Sequence, residues 1–113
     1  VPSINPFGPT GNTYKDVRET VHTMTSALVD GTNGNWQTRE VTGAETPTFN
    51  FNAPGQAILV QYTVNGGSFI WTNVDVWLGE VEPGSLTDGD YDFVFKSIDE
   101  GTVTQGQLNG KVG

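Results

Sequence analysis

QAILVQYTVNGGSFIWTNVDVWL, residues Gln56–Leu78, is the most informative stretch of the chain. Two apolar runs, Gln56–Val64 and Ser68–Leu78, flank Asn65-Gly66-Gly67. Glycine takes the positive φ that a tight turn demands, so the segment predicts a β-hairpin. Side chains alternate along a strand, and a one-residue slip exchanges the two faces. A three-residue loop, Asn65–Gly67, sets Val64 opposite Ser68 and Tyr62 opposite Ile70. One face then reads Ile58, Val60, Tyr62, Val64, Ile70, Val74, Val76 and Leu78, a continuous core face. A two-residue loop would set Ile58, Val60 and Tyr62 beside Trp71, Asn73 and Asp75, so burial favours the longer loop.

The opposite face mixes aromatic and polar groups: Leu59, Gln61, Thr63, Phe69, Trp71, Asn73, Asp75 and Trp77. Three uses fit it. Sugar rings stack on indoles while amides and carboxylates bind hydroxyls, which makes Gln61, Trp71, Asn73, Asp75 and Trp77 a candidate glycan platform. An oligomer interface draws on the same residue types. A second core layer would cover the tryptophans altogether.

Outward from this segment the chain keeps the same character. Val outnumbers Leu 13 to 5, Thr occurs 15 times and Ala 4 times, a composition suited to pleated surfaces. Strands are expected at Trp36–Thr42, at Thr46–Asn52 with Phe49 and Phe51 on one face, at Tyr91–Ile98 and at Thr102–Gln105. Turns are expected at Glu82–Ser85 and Thr87–Asp90, and Asn109–Gly113 reads as a polar tail. Residues 31–113 therefore read as a mostly β domain, a compact antiparallel β-sandwich or partly open barrel.

Upstream, residues 13–30 carry the one helical pattern. Tyr14, Val17, Val21, Met24 and Leu28 recur at spacings of three and four, the stripe of an a/d seam, and Asp30-Gly31 would end the helix. Such a helix either docks on the β core or is shared between subunits as an oligomer seam. Residues 1–12 hold three prolines and read as an extended arm, with Ile4 and Phe7 as apolar anchors.

The chain has 113 residues, enough for a single domain. Its net charge is −8, and residues 73–100 hold eight acids against Lys96. Phosphate backbones and anionic lipid are poor partners for that surface, so neither nucleic acid nor membrane is expected. Without cysteine, thiolate chemistry, disulfides and zinc–thiolate sites are excluded.

Catalytic signatures are lacking. His22 is the single histidine, with no serine or carboxylate placed beside it by any motif. The acid pairs Glu80/Glu82 and Asp90/Asp92 fall at turns or strand starts. Asp88, Asp90 and Asp92 open like a calcium loop, with Asp99 at the twelfth position, but Phe93 stands where that loop requires glycine. The expectation is a non-enzymatic protein with neither cofactor nor metal.

An extended Val1–Asn12, a seam from Tyr14 to Leu28 and a Cys-free, acidic, Thr/Gly/Asn-rich β body together resemble small virion accessory proteins, the capsid decoration and fibre proteins of tailed bacteriophages. The resemblance is one of style and covers the whole chain loosely. It implies a structural attachment protein on a virion or other extracellular surface. Such a protein binds a capsid or tail surface as a homo-oligomer, often a trimer, with an outward face that touches glycans. A carbohydrate-binding β module is the alternative.

Overall fold

The computed structural model describes residues 20–112. The arm at 1–12 and the first part of the expected helix, with Ile4, Phe7, Tyr14 and Val17, lie outside them.

Gln56–Val64 is the central strand of the fold. In chain order the strands are β1 (His22–Thr23), β2 (Leu28–Asp30), β3 (Trp36–Val41), β4 (Ala44–Glu45), β5 (Thr48–Asn50), β6 (Gln56–Val64), β7 (Ser68–Phe69), β8 (Val76–Trp77), β9 (Gly89–Ser97) and β10 (Gln105–Val112), with a 3-10 turn at Gly31–Asn33. Six of them form one mixed sheet in the order β1-β3-β6-β9-β10-β8. Strand β6 runs antiparallel to β9, with Ile58 opposite Phe95, Val60 opposite Phe93 and Tyr62 opposite Tyr91. On its other side it runs parallel to β3, with Val60 opposite Gln37 and Val64 opposite Val41.

Parallel neighbours cannot be joined by a tight hairpin; the chain must cross over between them. Here the crossovers are not helices. Residues 24–35 link β1 to β3 and residues 42–55 link β3 to β6, and both pass over the same face of the sheet. Their short strands pair with one another or with the segment after β6: β2 with β5, and β4 with β7. These pairs and residues 70–77 form the second layer. Phe49 of β5 packs on Phe95 at 4.7 Å between ring centroids, Phe69 on Tyr62 at 4.8 Å, and Trp71 on Phe93 at 5.1 Å. Ile58, Val60, Tyr62, Val64, Phe93 and Phe95 are all buried beneath that layer.

The chain is mostly β, as expected, but four expectations are corrected. The sheet is mixed rather than antiparallel. Residues 20–30, assigned to the helix, are β1, a bend and β2. The β-branched Val21, Thr23, Thr25 and Val29 favour an extended backbone, and Met24 is drawn into the core, its amide donating to the Thr38 carbonyl at 2.8 Å. The hairpin between 56–64 and 68–78 does not form. The amide of Asn65 donates instead to Val41, and that of Ser68 to Gly43, so the chain leaves β6 across the end of β3. Gly67 makes this passage possible, because a Cβ there would lie 2.5 Å from the Val41 carbonyl oxygen. The polar tail is also corrected, since Asn109–Val112 continue β10.

Several buried polar groups tie the layers. Gln37 donates to the carbonyls of Asp30 at 2.7 Å and Gly34 at 2.9 Å. Arg39 of β3 meets Glu45 of β4 in a two-pronged contact, the shortest arm 2.8 Å, and this contact raises the Arg39 pKa. The Tyr62 hydroxyl is enclosed without a hydrogen-bond partner, and burial pushes its pKa far up.

Two substitutions separate these effects. Tyr62→Phe removes a hydroxyl that is desolvated without compensation, so it should raise the unfolding free energy by up to about 1 kcal/mol. Gly67→Ala drives a methyl into backbone and should lower it by roughly 1–3 kcal/mol. Denaturant unfolding of both variants checks the opposite signs.

Candidate functional site

Among the described residues the second layer covers only one face of the main sheet. On the other face the strands align their side chains in rows. Trp36, Leu59 and Val94 stand side by side on β3, β6 and β9, and Gln107 continues the row on β10. The next row runs Thr38, Gln61, Asp92 and Gly110, and the one beyond it Glu40, Thr63, Asp90 and Val112. None of these side chains is fully buried. Trp36 is 43% exposed and stands at the β3 end of the apolar row. On β9 the adjacent rows carry Asp92 on one side and Lys96 on the other, and two rows away Asp90 accepts a hydrogen bond from the Thr63 hydroxyl at 2.6 Å and Glu40 one from the Asn65 side-chain amide at 3.1 Å.

A second feature lies where the two layers meet. Thr48 and Phe49 of β5, Thr72, Asn73 and Asp75 of the turn before β8, and Gly101, Thr102 and Thr104 of the β9–β10 loop line an open cleft of about 370 Å³. The three segments are fastened together. Asn73 donates to the Pro47 carbonyl at 2.9 Å. One carboxylate oxygen of Asp75 accepts the Thr104 amide at 2.8 Å, and the Asp75 amide donates to the Thr104 carbonyl at 2.9 Å. The loop itself is closed by Asp99, which accepts the Ser97 hydroxyl at 2.8 Å and the Val103 amide at 3.1 Å; these bonds hold its pKa below the usual carboxylate range.

A larger recess of about 460 Å³ runs along Gly67–Phe69 and Glu82–Leu86. Its lining sets Ser68, Phe69, Glu82 and Ser85 beside Pro83 and Leu86.

The residues singled out in the sequence are dispersed by this fold. Trp71 and Trp77 are 5% and 9% exposed and stack edge to face at 5.1 Å, so they belong to the core and the proposed platform does not exist as a surface. Gln61 is on the open sheet face, whereas Asn73 and Asp75 line the cleft. The predicted inward set Ile70, Val76 and Leu78 is exposed instead. Indoles bury more apolar surface than aliphatic chains do, and the twist of 68–78 away from β6 turns them inward. Of the expected seam, Val21, just before β1, and Leu28 on β2 are exposed while Met24 is buried, so these three do not share a stripe.

The calcium-loop reading fails as well, because the strand begins at Gly89 and alternates its side chains. Asp88 instead accepts the Gly66 amide at 2.8 Å. Among the described residues no group of three or more His, Cys, Asp or Glu is placed to hold a metal ion. His22 sits on β1 at the sheet edge, level with Gln37.

Trp36 and the cleft were missed by the sequence reading. The alternation Trp36-Gln37-Thr38-Arg39-Glu40 was the available signal for Trp36, because the apolar residue shares its face with Thr38 and Glu40 rather than with Val41. Nothing local marks the cleft, whose walls are drawn from three distant segments. No protein-family model matches the chain, and no curated protein or solved structure was found to be similar to it.

Burial makes the three tryptophans distinguishable. Acrylamide should quench a single fraction of the fluorescence, and Trp36→Phe should abolish it while leaving the melting temperature nearly unchanged. Trp71→Ala should cost about 3–5 kcal/mol of stability. Acid should also reveal the loop. Asp99, and Asp30 through its bonds from Thr32 and Asn50, have lowered pKa values in the folded state. Their contribution is complete above the unfolded carboxylate value near about 4 and is lost as the pH falls through the folded values. Asp99→Asn should therefore flatten the acid limb of a melting-temperature profile relative to the unmodified chain.

Proposed function

We propose that this chain is a non-enzymatic structural attachment module of the virion accessory kind, which joins a capsid or tail surface as an oligomer. The carrying observation is the open face of the main sheet, with Trp36, Leu59 and Val94 in one row. A tryptophan half in solvent beside aliphatic neighbours is the composition of an interface centre, and a polar surround is that of its rim. The acids of the far row, Glu40 and Asp90, favour a partner surface that is basic at that end of the face. The composition, Cys-free and rich in threonine and glycine, supports the virion setting by resemblance. With residues 20–30 extended, the heptad argument for a trimer no longer supports that symmetry, and the sheet face takes over as the contact surface.

Sedimentation of the free chain, alone and with assembled capsids from the same source, tests the reading. The unmodified chain should self-associate or pellet with the particles. Trp36→Asp should weaken either association at least about tenfold, since it places a charge at the contact centre. A chain that stays monomeric and remains in the supernatant, or a Trp36→Asp variant that behaves as the parent does, would falsify the sheet-face assignment.

A further inference from the structure

We infer that the cleft between β5, the 72–75 turn and the 101–104 loop is a binding site for a neutral saccharide, separate from the sheet face. Its lining carries the groups such a ligand needs. Sugar rings alternate hydroxyls with C–H faces, so a site for them combines hydrogen-bonding groups with one aromatic surface. Phe49 supplies the aromatic surface, held in place by Phe95 at 4.7 Å and stacked with Phe51 at 6.2 Å. Around it stand hydroxyls from Thr48 and Thr72, the amide of Asn73 and the carboxylate of Asp75.

The polar atoms divide into those that build the cleft and those left over. Asp75 uses Oδ2 for the Thr104 amide, and Oδ1 has no partner among the described residues. Asn73 uses its NH₂ for the Pro47 carbonyl, and its own carbonyl oxygen is unpaired there. The hydroxyls of Thr48 and Thr72 likewise have no partner among the described residues. Two acceptors on neighbouring turn positions, one of them charged, can take adjacent hydroxyls of a ring, and threonine hydroxyls can either donate or accept.

Preorganisation strengthens this reading. Each wall is already fixed by hydrogen bonds to another wall, so a ligand would order little of the protein on entry. Gly101 leaves its part of the rim open, since its nearest neighbour would be a Phe51 ring carbon at 3.8 Å from an added Cβ. The volume of about 370 Å³ falls within the roughly 300–1,000 Å³ of small-molecule sites. The charge selects the ligand class: a carboxylate in the cleft of a chain with net charge −8 disfavours phosphorylated or acidic sugars.

Amide chemical shifts of the full chain, followed while glucose, galactose, mannose or N-acetylglucosamine is added, test the inference. At least one should give saturable shifts confined to 48–49, 72–75 and 101–104, with affinity on the order of millimolar. Asp75→Asn keeps an oxygen for the Thr104 amide but loses the charge, so it should weaken binding about tenfold with little change in melting temperature. Thr72→Val, on an exposed position, should also weaken it. Galacturonate should bind less well than galactose. The inference is overturned by the absence of saturable shifts with all four sugars, by shifts centred on Trp36 instead, or by affinity that neither substitution alters.

Discussion

The inner face of β6 has to be buried from one side only, and by a chain that contains no helix among its described residues beyond a single 3-10 turn. Ile58, Val60, Tyr62 and Val64 present a flat apolar strip, extended by Phe93 and Phe95 on the neighbouring strand. Covering that strip demands a second layer, and among the described residues the connections between strands supply it. This explains why the sheet is mixed. A connection that begins at one end of a strand and must cover the face before starting the next arrives at the end where the previous strand began, so consecutive long strands β3 and β6 come out parallel. The 65–88 connection crosses the same face and then returns, so that Gly89 starts β9 opposite Val64 and the pair is antiparallel; on the way it delivers Phe69, Trp71 and Trp77 onto Tyr62 and Phe93.

Tyr62 marks what this arrangement costs. It lies at the meeting point of both layers, within 6.5 Å of Phe69, Trp71, Phe93 and Phe95 by ring centroid. Its ring serves the packing, while its hydroxyl, with the indole N–H of Trp77 and the Gln37 carbonyl oxygen, is buried without a hydrogen-bond partner. Three such atoms in one core indicate that shape and aromatic contact decided the packing there, ahead of polar satisfaction. The remaining polar contacts compensate: Gln37, Gln56 and the Arg39–Glu45 pair each cross from a long strand to a connection.

The strands that alternate cleanly were legible in the sequence. Gln56–Val64 was bounded correctly, Trp36–Thr42 and Tyr91–Ile98 to within a residue or two, because their periodicity reports a face buried by neighbours on either side. What could not be read was pairing. Asn65-Gly66-Gly67 has the residues of a hairpin turn, yet Gly67 serves a close approach to Val41, and both uses select glycine. Likewise Val21, Met24 and Leu28 keep helical spacing although the backbone there is extended, since only Met24 of the three reaches the core. Of the candidate site residues, Asn73 and Asp75 stay together, both lining the cleft, because they are two apart on one segment. The tryptophans assigned to their side went into the core because the strand that would have aligned them does not exist.

The same economy fixes where recognition can occur. With the long connections committed to the inner face, two surfaces remain among the described residues: the outer face of the sheet and the clefts where connections meet. They differ in what each can bind. The outer face is built on strands paired along their length, so it is rigid, broad and suited to another surface of matching shape. The cleft is small and walled by loops whose positions depend on a few hydrogen bonds, above all those of Asp75 and Asp99. Of these two, Asp99 has a carboxyl held below its usual range by the Ser97 and Val103 bonds, so the loop behind the cleft should lose that support as the pH falls through its folded value, while apolar packing holds the strands.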